Sequence, residues 1–193
     1  MTDSPPVLSD INSTYVNYMV PRLETFALVS FGDKSAPAAV TGFDPEKENK
    51  VTGISKKLIS GRLPGKDEKG LLLGKSLAAL LHATVGDSLV ILGQGYHGVM
   101  AAGLVPVAGI VSLGSPKLDE GMIYMPLQAT QSLFSCEGML TSISLMIKNP
   151  GQLEMSRASI SGVLDTTRYE VMTWKEMLPE LDQLIEADSA GHY

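Results

Sequence analysis

A chain of 193 residues with 44% apolar and 19% charged side chains holds enough apolar material for a core that needs no staples, which excludes a disordered chain. A net charge of −6 with no basic cluster excludes a partner bound through its phosphate backbone, so no nucleic acid is expected. The single cysteine, Cys136, excludes an internal disulfide and a thiol-rich metal site.

Residues 1–14 (MTDSPPVLSDINST) form a polar leading segment with a short helix starting near Ser9 or Asp10, and without the basic start and apolar run of a signal peptide. Alternation predicts a long strand over Met19–Phe31, a turn at Gly32–Ser35 and a return strand over Ala38–Phe43. Asp44-Pro45-Glu46-Lys47-Glu48 then reads as a polar turn of helix, and Gly65–Gly70 (GKDEKG) as a charged loop. A short strand at Leu71–Gly74 leads into a compact helix, Ser76–Leu81, that stops near His82. Strands follow at Ser88–Leu92, Val105–Leu113 and Met122–Tyr124, then a helix over Gln128–Phe134. The last third alternates: strand Ser142–Lys148, helix Gln152–Leu164, strand Tyr169–Thr173 and an acidic amphipathic helix, Trp174–Ala187.

The stretch from Ser88 to Pro116 carries no formal charge and is long enough for a membrane span. Its many glycines, with Gln94, Tyr96 and His97 in the middle, fit two strands and a glycine-rich loop better, so the chain reads as soluble. Within it, Gly93-Gln94-Gly95-Tyr96-His97-Gly98 matches the dinucleotide pattern G-x-G-x-x-G. That pattern needs a helix of several turns opening at the loop, and Gly103 and Pro106 leave no room for one, so no cofactor is assigned. Cys136 has no local histidine placed to act as its base, and His82, His97 and His192 lack metal-ligand spacing. Asp44, Glu46 and Glu48 lack the ligand spacing of a calcium loop and read as a solvated turn. No local motif names an enzyme.

Several segments, in order, resemble the extracytoplasmic domain of ABC-transporter permeases of the FtsX/MacB type, nearest to the lipoprotein-releasing LolC/LolE branch. They are Val40-Thr41-Gly42-Phe43-Asp44-Pro45-Glu46, Ile59-Ser60-Gly61-Arg62-Leu63, Leu72-Leu73-Gly74-Lys75-Ser76-Leu77-Ala78 and Val85-Gly86-Asp87 with the strand after it. Val107–Val111, Ile123–Leu127 and Val171-Met172-Thr173-Trp174-Lys175-Glu176 complete the series.

This resemblance implies an α+β fold in which a mixed βα porter-like lobe (1–54 and 138–193) carries an inserted, β-rich, sabre-like lobe (55–137). It implies a piece of a longer protein, set between two membrane helices on the periplasmic face of the inner membrane, with Trp174–Ala187 running on towards the second. It further implies a cytoplasmic ABC ATPase, a second permease copy or paralogue, and no chemistry or cofactor in this domain. A lipoprotein and a periplasmic chaperone are the implied binding partners. The stretch Gly93–Leu104 lacks the proline-rich hook of the lipoprotein-releasing branch, which leaves Tyr96, His97 and Met100 as the candidate contact loop. A free-standing small-molecule or peptide-binding module is the alternative, and an enzyme assembled from distant residues the third.

Overall fold

The computed structural model describes residues 14–177. Two compact units emerge: residues 18–145, and residues 14–17 together with 146–177.

Along the chain come β1 (Val16–Phe31), in the first unit from Tyr18 on, and β2 (Lys34–Phe43), an antiparallel hairpin in which Phe31 faces Lys34 and Arg22 faces Phe43. α1 (Pro45–Thr52) and a 3-10 turn lead to β3 (Leu58–Gly61), then β4 (Leu71–Gly74) and α2 (Lys75–Leu81). Next come β5 (Ser88–Gln94), β6 (Met100–Val111), α3 (Pro116–Asp119), β7 (Met122–Pro126) and α4 (Leu127–Leu133), with β8 (Ser142–Ile147) closing the run.

The strand pairings run β2-β7-β4-β6-β5-β1, and β1 pairs again with β2, so six strands close a ring. Closure removes the open edges that an antiparallel sheet would otherwise present. Alternation then sorts the side chains. Leu23, Ala27, Val29, Val40, Leu71, Leu73, Leu89, Ile91, Val105 and Ile123 turn inwards to one core, which Leu77 and Leu81 of α2 and Phe134 join. Leu72 points the other way, into a second cluster with Phe43, Ile54 and Val111 on the outside of the ring. β4 is therefore buried on both faces, which is why it reads as Leu-Leu-Leu rather than as an alternation.

Most predicted elements are present with shifted ends. β6 begins at Met100 rather than Val105, because Met100–Leu104 pair with Gln94–Val90 of β5. β3 and α3 were not predicted. β3 is held by pairing with β6, which local sequence does not display. The expected lobe boundaries near residues 54 and 138 both fall inside the first unit, where β2 pairs with β7 and β1 with β5.

The second unit contains α5 (Leu153–Val163), entered through a 3-10 turn that Asn149 caps, and α6 (Trp174–Met177). Ser156 and Ile160, four residues apart, form its buried stripe. The strand expected at Tyr169–Thr173 is absent. A turn built on Asp165 precedes the segment, no strand among the described residues pairs with it, and Arg157 Nε donates to the Val171 carbonyl at 3.3 Å. Thr173 and Glu176 form a reciprocal capping box at the start of α6, with Glu176 accepting from the Thr173 amide at 2.7 Å. Arg157 also pairs with Glu176 at 3.0 Å. Contact with the Thr173 amide, then its hydroxyl and Arg157, holds the Glu176 carboxyl below its usual range. The expected helix near Ser9 and the remainder of Trp174–Ala187 lie outside the described residues.

Candidate functional site

The uncharged stretch folds as β5, a tight connection and β6, an antiparallel hairpin whose last pair is Gln94 and Met100. The G-x-G-x-x-G pattern is thus a hairpin closure followed by a strand. Gly95 donates its amide to the Val99 carbonyl at 2.6 Å, and Tyr96 donates to the Phe134 carbonyl at 3.0 Å. A Cβ on Gly95 would stand 2.5 Å from that same Phe134 oxygen, so the glycine lets the end of α4 dock against the hairpin.

Tyr96 and His97 sit exposed on this connection, their rings 3.9 Å apart and steeply inclined, with His97 in the left-handed region (φ 55°). Met100 stands at the same hairpin end, paired with Gln94. As the first residue of β6 it is 81% exposed and joins the outer sheet face, alongside Phe26 and Leu28 of β1, Val90 and Leu92 of β5 and Leu104. All three expected contact residues are thus exposed at the hairpin end, Tyr96 and His97 ring to ring and Met100 at the edge of a larger apolar surface. Sequence reasoning missed that surface. Its signal was available in the period-two pattern Phe26-x-Leu28 and Val90-x-Leu92, whose in-between residues fill the core.

A second feature corrects the expectation of a solvated acidic turn. Asp44 caps α1, its carboxylate accepting from the Glu46 and Lys47 amides at 3.1 Å each. Glu48 is not in solvent: its side chain is 3% exposed and forms a two-bond pair with Arg22, itself 25% exposed, at 2.7 and 3.1 Å. Phe43 beside it is fully buried and edge-on to Tyr124, with ring centroids 5.8 Å apart. Gly42 is required because Thr130 occupies the space a Cβ would need, 2.8 Å away. The whole Gly-Phe-Asp-Pro-Glu segment is a folding joint. Burial raises the Tyr124 phenol above its ordinary range, reinforced by the Glu48 charge.

The cavity between these groups, lined by Arg22, Thr41, Glu48, Lys57 and Tyr124 among others, measures about 150 Å³. That is below the roughly 300–1,000 Å³ of ordinary ligand sites. A larger groove of about 510 Å³ runs beside Arg62, Glu68, Val85 and Pro106. Its rim carries the exposed Lys69 and a closed pair, with Arg62 Nη1 donating to Glu68 at 2.8 Å and Nη2 to the other oxygen.

Cys136 is buried, donates its Sγ–H to the Gln131 carbonyl at 3.7 Å, and has its thiol pushed up by burial and then by Glu137. Such a thiol is a poor nucleophile. His82 ends α2 in the left-handed region, with Nε2 3.3 Å from Lys34 Nζ. Among the described residues no three of His, Cys, Asp and Glu gather as a metal site, and no helix is long and apolar enough to cross a membrane. His192 lies outside the described residues.

Comparison with known proteins gives a consistent result. Residues 2–163 match the family described as MacB-like periplasmic core domain. Two proteins named lipoprotein-releasing system transmembrane protein LolC, from Xylella fastidiosa strains Temecula1 and 9a5c, are each 30% identical over 129 residues, covering 62% of this chain. The chain spans only 30% of the length of these curated relatives. Among solved structures, the extracellular domain of the noncanonic ABC-type transporter YknZ from Gram-positive bacteria aligns with a TM-score of 0.66 at 13% identity, covering 89% of both chains. The periplasmic region of MacB from Actinobacillus actinomycetemcomitans aligns at 0.57 and 19% identity, over 83% of this chain and 73% of that one.

Proposed function

The chain belongs to the MacB-like periplasmic core domain family, and from that premise we propose that it is the non-catalytic extracytoplasmic domain of an ABC-transporter permease. The match over residues 2–163 carries this reading, and the α+β fold shared with the YknZ and MacB domains supports it. The domain stands outside the cytoplasmic membrane, anchored by membrane helices on either side of it in the full protein. ATP is hydrolysed by a separate cytoplasmic subunit. The closed strand ring, cored throughout, is a stiff body suited to relaying a shift of the membrane helices as a whole rather than deforming under it.

The substrate class we favour is a lipoprotein, by the names of the two Xylella relatives. Tyr96, His97 and Met100, exposed at the hairpin end, are our candidate contacts for the substrate or its carrier. Reading the parent gene outwards tests the proposal. It predicts an apolar span of about 20 residues on each side of this segment and a neighbouring frame with a P-loop ATPase signature. A parent protein without flanking spans overturns it.

A further inference from the structure

The groove beside Arg62 and Val85, about 510 Å³, falls within the ordinary range of small-molecule sites. It lies where two partners meet β6 one after the other along the chain. The turn before β5 comes first, with Val107 donating to the Asp87 carbonyl at 2.8 Å and accepting from the Gly86 amide at 2.9 Å. The end of β3 follows, with the Arg62 amide donating to the Ala108 carbonyl at 2.9 Å and Gly61 facing Gly109. The groove is the gap between these two arrivals, lined by Pro106 and Ala108 of β6.

Glycines keep the gap open and fix its walls. Gly61 and Gly86 have φ of 76° and 96°, which only glycine adopts readily, so neither carries a side chain over the gap. A Cβ on Gly61 would stand 2.3 Å from the Ala108 oxygen and 3.0 Å from Val85 Cγ2. One on Gly86 would meet nothing within 4 Å. Gly70 returns tightly along β6, where a Cβ would lie 3.2 Å from that of Ala108. The result is a preformed, mainly aliphatic trough in which Val85 is left 41% exposed.

Backbone and charge together select the ligand. The Val107 and Ala108 backbone is already hydrogen-bonded, so the trough has no open edge there for an added peptide strand. It suits a chain that brings no hydrogen-bonding groups of its own. Of the charged lining residues, Arg62 and Glu68 neutralise each other. Lys69 alone makes no ion pair or hydrogen bond among the described residues. Asp87, next to Gly86, is turned to Thr84, whose amide and hydroxyl donate to it at 2.7 and 2.9 Å. An unbalanced ammonium at the rim of an aliphatic trough matches an anionic head on an aliphatic tail.

We propose that this groove binds a medium-chain fatty carboxylate, its tail on Val85, Pro106 and Ala108 and its head at Lys69. An ester or amide of the same acid, as on an acylated protein, lacks the charge that Lys69 would meet. The inference therefore goes beyond the lipoprotein reading and requires only the folded first unit.

The test is titration of the isotope-labelled 193-residue chain with octanoate to roughly 10 mM, read by amide chemical shifts. An open groove and so small a ligand make the expected affinity about millimolar. Saturable shifts confined to the surroundings of Lys69, Val85 and Ala108 are expected. Hexanoate should bind at least about fourfold more weakly, each buried methylene contributing about two- to fourfold. Lys69→Gln, an exposed change, should weaken octanoate at least about threefold and leave octanol unaffected. Val85→Asp should abolish binding with the rest of the spectrum native, and if it unfolds the Lys69 variant carries the test. Octanol or methyl octanoate binding as tightly as octanoate overturns the inference, as does the absence of saturable shifts. Shifts gathered on Phe26, Leu92 and Leu104 overturn it too, because the ligand would then be coating the outer sheet face. So does a leucine-ended peptide that shifts the groove where octanoate does not. None of these results touches the permease reading, which fails only on the flanking spans.

Discussion

Removing the Glu48 carboxylate would leave the Arg22 guanidinium, three-quarters covered by protein, without its counter-charge. Breaking one side of such a pair costs about 3 kcal/mol, whereas replacing both sides by apolar groups costs much less. Glu48→Ala should therefore lower the unfolding free energy by roughly 3 kcal/mol in a urea titration, and Arg22→Met with Glu48→Leu by clearly less. Nothing in the run Asp44-Pro-Glu-Lys-Glu distinguishes Glu48 from Glu46, because its partner lies 26 residues away on β1. That residue of the site was not legible in sequence. Glu68 is the opposite case, half-exposed yet strongly perturbed. Hydrogen bonding to Arg62, then the Gly65 amide, lowers its carboxyl from 4.5 to about 2. A lowered folded value means the pair's contribution is present above pH 4.5 and fades as pH falls towards 2. The stability involved is small in an exposed pair. Carboxyl chemical shifts should put the Glu68 inflection near 2, and Arg62→Gln should return it towards 4.5.

At the scale of elements, the half-buried strands were the most legible, since one residue in two had to be apolar to fill the ring. β1, β2 and β5 were found within a few residues of their ends, as were α2, α4 and α5. Elements that exist only through distant pairing were missed. β3 is four residues held against β6, and Tyr169–Thr173 has strand-like composition with no strand beside it. In the sequence the glycine-rich connection reads as a hairpin closure, but its reason is tertiary: Gly95 leaves room for the Phe134 carbonyl. Gly95→Ala should consequently cost about 2 kcal/mol of stability by overpacking, while His97→Ala beside it stays within about 0.5 kcal/mol. Thermal melts of the two variants separate the packing account from a contact role for the loop. Equal, near-zero shifts would contradict it.

For the whole molecule, the family resemblance carried further than any local pattern, because seven weak segments in fixed order identify an architecture that no one of them specifies. What it did not convey was how strands far apart in the chain join. The parallel pairing of β2 with β7 and the antiparallel pairing of β1 with β5 tie the two ends of the expected insert into one ring. The apolar outer face is likewise a property of the ring, made by bringing Phe26, Leu92 and Leu104 side by side from three strands. Which side of the membrane this body occupies decides whether it can meet anything outside the cytoplasm. The most direct measurement places a single cysteine at the exposed position 97, as His97→Cys with Cys136 and any cysteine outside this segment changed to serine, in the full-length protein in spheroplasts, and adds a membrane-impermeant maleimide. Labelling of intact spheroplasts equal to that after lysis is the predicted result. Labelling that appears only after lysis would put the domain in the cytoplasm and contradict the account.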